Sequence, residues 1–110
     1  MDSNRRPTSQ EEKLLLSLVA KSSRNIPDNW SEHLLVRSME DGGMGSLSLF
    51  PEGVINENRA FGESVSSIHF NDKDGVAVIA SLYLDEERHL FELDIWKTDF
   101  SKLIELPIIS

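Results

Sequence analysis

The chain has 110 residues, a formal charge of −8, 39% hydrophobic residues and no cysteine. That length suits one domain with a single core, and the composition is that of a globular protein rather than a disordered or fibrous one. The lack of cysteine excludes disulfide scaffolds, thiolate metal sites and cysteine nucleophiles.

No apolar run approaches the ~20 residues of a bilayer-spanning helix. Arg5 and Arg6 are not followed by the apolar stretch of a secretory signal, so a cytoplasmic domain is expected. Charge is unevenly placed. Residues 1–24 hold five Lys/Arg against three Asp/Glu, whereas residues 25–110 hold six against sixteen. Such an acidic body repels phosphate backbones and anionic lipid, so neither nucleic acid nor membrane is an expected partner. A basic protein is.

Residues 1–7 lack periodicity and read as a flexible arm, leaving 8–110 as the domain. Thr8 stands three residues before Glu11, the spacing of a capping box, and Glu11–Glu12 suit the positive end of a helix. Leu14, Leu15, Leu18 and Val19 then form one apolar stripe. A helix over Thr8–Ser22 follows. Asn25–Trp30 reads as a loop around Pro27.

Leu34–Met39 reads as a strand leading into the Asp41-Gly42-Gly43 turn and a second strand at Leu47–Leu49, with a short helix over Ser31–Met39 as the alternative. Pro51–Arg59 is a loop. Val65, Ile68 and Phe70 alternate imperfectly, which points to a strand with a bulge. Asp72-Lys73-Asp74-Gly75 is a hairpin turn before the apolar run Val76–Leu84, expected to be an interior strand with Ile79 or Leu82 facing the core. Asp85–Arg88 turns again. In His89–Lys97, Phe91, Leu93 and Ile95 are expected on one face and Leu90, Glu92, Asp94 and Trp96 on the other. Lys102–Ile109 supplies a last strand interrupted by Pro107. The sum predicts an α+β fold, an N-terminal helix on an antiparallel meander of four to six strands.

Few patterns carry chemistry. Asp72-Lys73-Asp74-Gly75 has the look of a calcium loop. With Gly75 at loop position six, however, Phe70 and Ser81 fall where carboxylates are required. Turn chemistry explains Asp74-Gly75. His33, His69 and His89 lack ligand spacing, and no nucleophile elbow, phosphate loop or dinucleotide fingerprint is present. No metal or cofactor is expected. Gly42, Gly43 and Gly45 suggest left-handed backbone.

Glu92, Asp94 and Trp96 share one strand face, two carboxylates beside a large aromatic. That face, with Asp41, Met44 and Lys97, is the candidate binding region.

The segments Arg6-Pro7-Thr8 with Glu11-x-x-Leu14-Leu15, Asp41 to Leu47, and Glu92 to Ser101 resemble a family of small bacterial proteins labelled only as a domain of unknown function. The resemblance covers residues 5–107 and implies a stand-alone domain without assigned activity. Val76–Ser101, with its acidic turn between strands, is similar in style to immunity proteins of bacterial toxin systems. The function expected is therefore a non-enzymatic module that binds a protein, of which a basic toxin domain is the concrete example. The alternative is a small enzyme or ligand-binding protein using Glu92, Asp94 and Asp41 around a pocket.

Overall fold

The computed structural model describes residues 4–40, 42–53 and 58–107. Helix α1 spans Ser9–Ala20. Five strands follow: β1 (Leu35–Ser38), β2 (Leu47–Phe50), β3 (Phe61–Asn71), β4 (Ala77–Asp85) and β5 (Leu90–Lys97), with a short 3-10 turn at Pro51–Gly53. All pair antiparallel in the order β1-β2-β5-β4-β3. The fold is α+β, one helix on a five-stranded antiparallel sheet. It is not a simple meander, because β5 inserts between β2 and β4 and becomes the middle strand.

The helix starts where its cap dictates. The Thr8 hydroxyl accepts from the Glu11 amide at 3.1 Å and the Glu11 carboxylate accepts from the Thr8 amide at 2.9 Å. The same carboxylate receives both arms of the Arg5 guanidinium at 2.7 and 3.0 Å. Arg5 also pairs with β1, donating to the Val36 carbonyl at 2.9 Å and accepting from its amide at 2.7 Å. The arm expected over residues 1–7 is thus docked from Asn4 onward, covering the free edge of β1. Residues 1–3 lie outside the described residues.

Leu14, Leu15 and Leu18 press onto one sheet face, packing with Val36, Leu49, Val78, Ala80, Leu82, Leu84, Leu93 and Ile95. Ser66 ties the sheet to the helix by donating to the Leu18 carbonyl at 2.7 Å. On β4, Leu82 is core, whereas Ile79 points to the other face and is half-buried. The helix alternative for Ser31–Met39 fails: Leu35–Ser38 is strand, and its partner is β2 in register from Leu35↔Phe50 to Ser38↔Leu47.

Two expectations need correction. Leu90 faces the core, not the Glu92–Trp96 face, because the register jumps from Tyr83↔Glu92 to Leu84↔Leu90 and leaves Phe91 as the extra residue of a bulge. The last strand expected at Lys102–Ile109 does not form over 102–107. That segment is held instead by side chains: the Asp72 carboxylate accepts from the amides of Ile104 at 2.7 Å and Glu105 at 3.1 Å. Gly62 shows why β3 starts as it does, since a Cβ there would overlap the backbone of Asp85.

Candidate binding face

Because α1 covers one side of the sheet, the alternation of β5 leaves Glu92, Asp94 and Trp96 on the side it does not cover. Cross-strand pairing then fixes their neighbours. Glu92 lies between Ser48 of β2 and Tyr83 of β4, Asp94 beside Ser81, and Trp96 beside Ile79. The next strand adds Ser64, Ser67 and His69. Strands sit ~4.8 Å apart, so these side chains form one continuous surface.

The face is acidic and aromatic. Glu92 has no ion-pair partner among the described residues; burial pushes its acid up, and the nearby Asp94 charge adds to this. Burial also raises the Tyr83 phenol, reinforced by Asp94 and then Glu92. Tyr83 packs edge-on against Phe61, centroids 5.2 Å apart. At the far end Trp96, 39% exposed, meets Phe100, 70% exposed, with ring centroids 6.0 Å apart.

Phe100 has a φ of 62°, in the left-handed region where a bulky residue is a genuine outlier. Its amide donates to the Lys97 carbonyl at 2.8 Å, and Asp99 braces the turn by accepting from the Ser101 amide and hydroxyl. The turn leaves the Phe100 ring in solvent beside Trp96. The border towards β1 is cationic: Arg37 stacks 5.2 Å from the Phe50 centroid, and Arg59 lies 5.4 Å from Phe50 and 5.2 Å from Phe91.

Lys97 does not belong to this surface. It is 1% exposed and points inward, where its ammonium donates to Asp72 at 2.8 Å, Asp74 at 2.7 Å and the Lys102 carbonyl at 3.1 Å. The turn that has the look of a calcium loop therefore holds the chain's own cation. Burial opposes the Asp72 charge, but Lys97 and the amides of Ile104, Lys73 and Glu105 outweigh it and hold this acid well below the ordinary carboxylate range.

Met44 packs by the end of β5, its sulfur accepting from the Lys97 amide at 3.4 Å. Asp41 lies outside the described residues. Of the six sequence-derived candidates, Glu92, Asp94 and Trp96 are brought together. Tyr83 and Ile79 join them unannounced, hidden because the apolar run of β4 shows no polar alternation, and Phe61 joins from the start of β3 through its contact with Tyr83.

A concave site exists elsewhere, at the β4–β5 turn. This cavity of about 390 Å³ is lined by Ile26, Trp30, Arg59, Asp85 and His89 among others, and neither Glu92 nor Asp94 reaches it. Arg59 is committed there to the carbonyls of Leu90 at 2.7 Å and Leu49 at 2.6 Å. Among the described residues no group of three or more His, Asp or Glu is arranged to hold a metal ion. Nor is any described helix long and apolar enough to cross a membrane.

The family model "Domain of unknown function (DUF6984)" matches residues 4–107, nearly the whole chain. The chain belongs to that family. The match spans Arg6 to Glu11, the Gly42–Gly45 turn and the Glu92–Ser101 segment on which the resemblance rested. No curated protein and no solved structure matches the chain. The likeness to immunity proteins accordingly finds no support.

Proposed function

We propose that this member of the family is a non-enzymatic binding module whose uncovered sheet face receives a basic protein. The observation that carries this reading is the Trp96–Phe100 pair, two exposed aromatics with one held on strained backbone, next to Glu92 and Asp94. Desolvated aromatics supply most of the affinity in protein interfaces, and surrounding charge mainly sets the encounter rate. Glu92, half-buried and without an ion-pair partner among the described residues, is a place where a partner's lysine or arginine gains by pairing. The acidic body steers such a partner towards the face.

The experiment takes the product of a neighbouring gene, or a protein recovered by cross-linking in the native cell, and follows its binding kinetics. Trp96→Ala is expected to speed dissociation ~30-fold, the equivalent of about 2 kcal/mol, with little change in association. Asp94→Asn is expected to slow association at low salt and to leave dissociation nearly unchanged. A partner whose kinetics ignore both substitutions contradicts the reading.

The alternative, a ligand or substrate site built around Glu92 and Asp94, draws no support from the cavity at the β4–β5 turn, which neither residue lines.

A further inference from the structure

The two edges of the sheet are treated differently. The edge of β1 is closed by Arg5, whereas β3, eleven residues long, carries little along its outer side. The turn bonds set which backbone groups face out. Asp72 donates to the Val76 carbonyl, so from Ser66 to Phe70, where the register with β4 is unbroken, even-numbered residues turn their amides and carbonyls towards β4. Odd-numbered residues turn theirs outward, in agreement with the Val65 carbonyl accepting from the Ser23 amide at 2.9 Å. Ser67, His69 and Asn71 are left with outward backbone groups that no hydrogen bond among the described residues occupies.

Exposed edges of soluble proteins are usually blunted by lysine, proline or a bulge. Here the bulges lie between Phe61 and Ser66, and from Ser64 through Asn71 there is neither a charged residue nor a proline.

We infer that this edge pairs with the same edge of a second copy, β3 against β3 antiparallel about a two-fold axis at His69. The choice of a second copy rests on charge and self-complementarity. A chain of charge −8 repels itself over most of its surface, but the Ser64–Asn71 stretch is uncharged. His69 is the middle of the three open residues, so an axis there uses all of them.

On the core side, that register sets Ile68 opposite Phe70 of the second copy, twice. Both residues sit half-buried at the open margin of the core, and apolar cross-strand pairing covers what remains exposed. On the other side Ser67 meets Asn71, two groups able to hydrogen bond. Glu63, already paired with Arg24, and Lys73, 3.9 Å from Glu105, lie beyond the stretch that pairs.

The product is a ten-stranded sheet with both acidic, aromatic faces on the same side, since a two-fold axis normal to the sheet preserves the face. This goes beyond the binding role proposed above and stands without it.

Sedimentation of the full chain over a concentration series is expected to show monomer passing to dimer. Amide hydrogen exchange at Ser67, His69 and Asn71 is expected to slow as dimer forms. His69→Pro removes an outward N–H that the β3–β4 ladder does not use, and is expected to weaken dimerisation about tenfold or more. Should that variant fail to fold, His69→Lys keeps the backbone donor and sets two ammonium groups face to face, with the same expected loss. A chain that stays monomeric at its solubility limit overturns the inference. So does a dimer in which those three amides exchange as fast as in the monomer, or one that His69→Lys leaves intact.

Discussion

Glu92 and Asp72 are both carboxylates on a small sheet, and their surroundings drive them in opposite directions. Glu92 is raised by burial and by Asp94, so folding favours its protonated form. Its charge therefore opposes the native state at neutral pH, and that opposition is relieved as pH falls through its folded value towards the ordinary 4.5. Glu92→Gln is expected to raise the melting temperature at pH 7 and to leave it unchanged near pH 4, as measured by calorimetry.

Asp72 is lowered, so its contribution is present above the ordinary 3.8 and is lost progressively as pH falls below it. Asp72→Asn is expected to destabilise at neutral pH and to flatten the acid limb of the stability curve. Removing this acid leaves the inward-facing Lys97 with Asp74 as its remaining carboxylate, and releases the amides of Ile104 and Glu105. Stabilisation by Glu92→Gln is the outcome that fits work at a surface. Asp72 fits structure.

Hairpins carry most of the architecture, and two of them repeat one design. At Asp72–Val76 and at Asp85–His89 the first residue's amide donates to the last residue's carbonyl, and its own carbonyl accepts from the fourth residue's amide. The fourth residue is left-handed in both, Gly75 at φ 84° in one and Arg88 at φ 65° in the other. Arg88→Gly is expected to stabilise the chain by about 1 kcal/mol in denaturant unfolding, because only glycine takes that backbone without strain. On β4, Leu82→Ala is expected to cost ~2–5 kcal/mol in the same measurement, as for any fully buried leucine of a packed core.

These elements differ in how far the sequence announces them. The capping box at Thr8 and Glu11, the stripe at Leu14 to Val19 and the Asp-Gly turn at Asp74 are local signals, and each forms as the sequence predicts. The insertion of β5 between β2 and β4 is not local, and nothing in the chain order encodes it. The fate of Lys102–Leu106 was equally hidden. Its partly apolar composition suits a strand, but its backbone is bonded to the side chains of Asp72 and Lys97 and to the Gly43 carbonyl instead of to a neighbouring strand. For the candidate face, Glu92, Asp94 and Trp96 are legible from period-two alternation, and the same alternation turns Lys97 inward with Leu93 and Ile95; what the local pattern does not show is the pair of acids about 25 residues upstream that lets a lysine stand there.

At the scale of the whole molecule, one helix, with Ile26, Trp30, Leu103 and Leu106 from the loops, covers one side of a five-stranded sheet, and the other side is left to polar, acidic and aromatic groups. That asymmetry is the basis of the functional account. A face dressed only for solubility would expose serine and charge, not tryptophan and phenylalanine side by side. With a net charge of −8, binding of the proposed basic partner is expected to slow steeply in association with added salt and to change little in dissociation, as stopped-flow kinetics would measure.

The most direct test is an amide and indole NMR footprint of the isotopically labelled chain titrated with its partner. The account predicts that the perturbed signals are the Trp96 indole N–H together with Tyr83, Glu92, Asp94 and Phe100. Signals from Trp30, Arg88 and His89 around the cavity should stay in place. A footprint centred on Trp30 and His89, with the Trp96 indole unmoved, contradicts it.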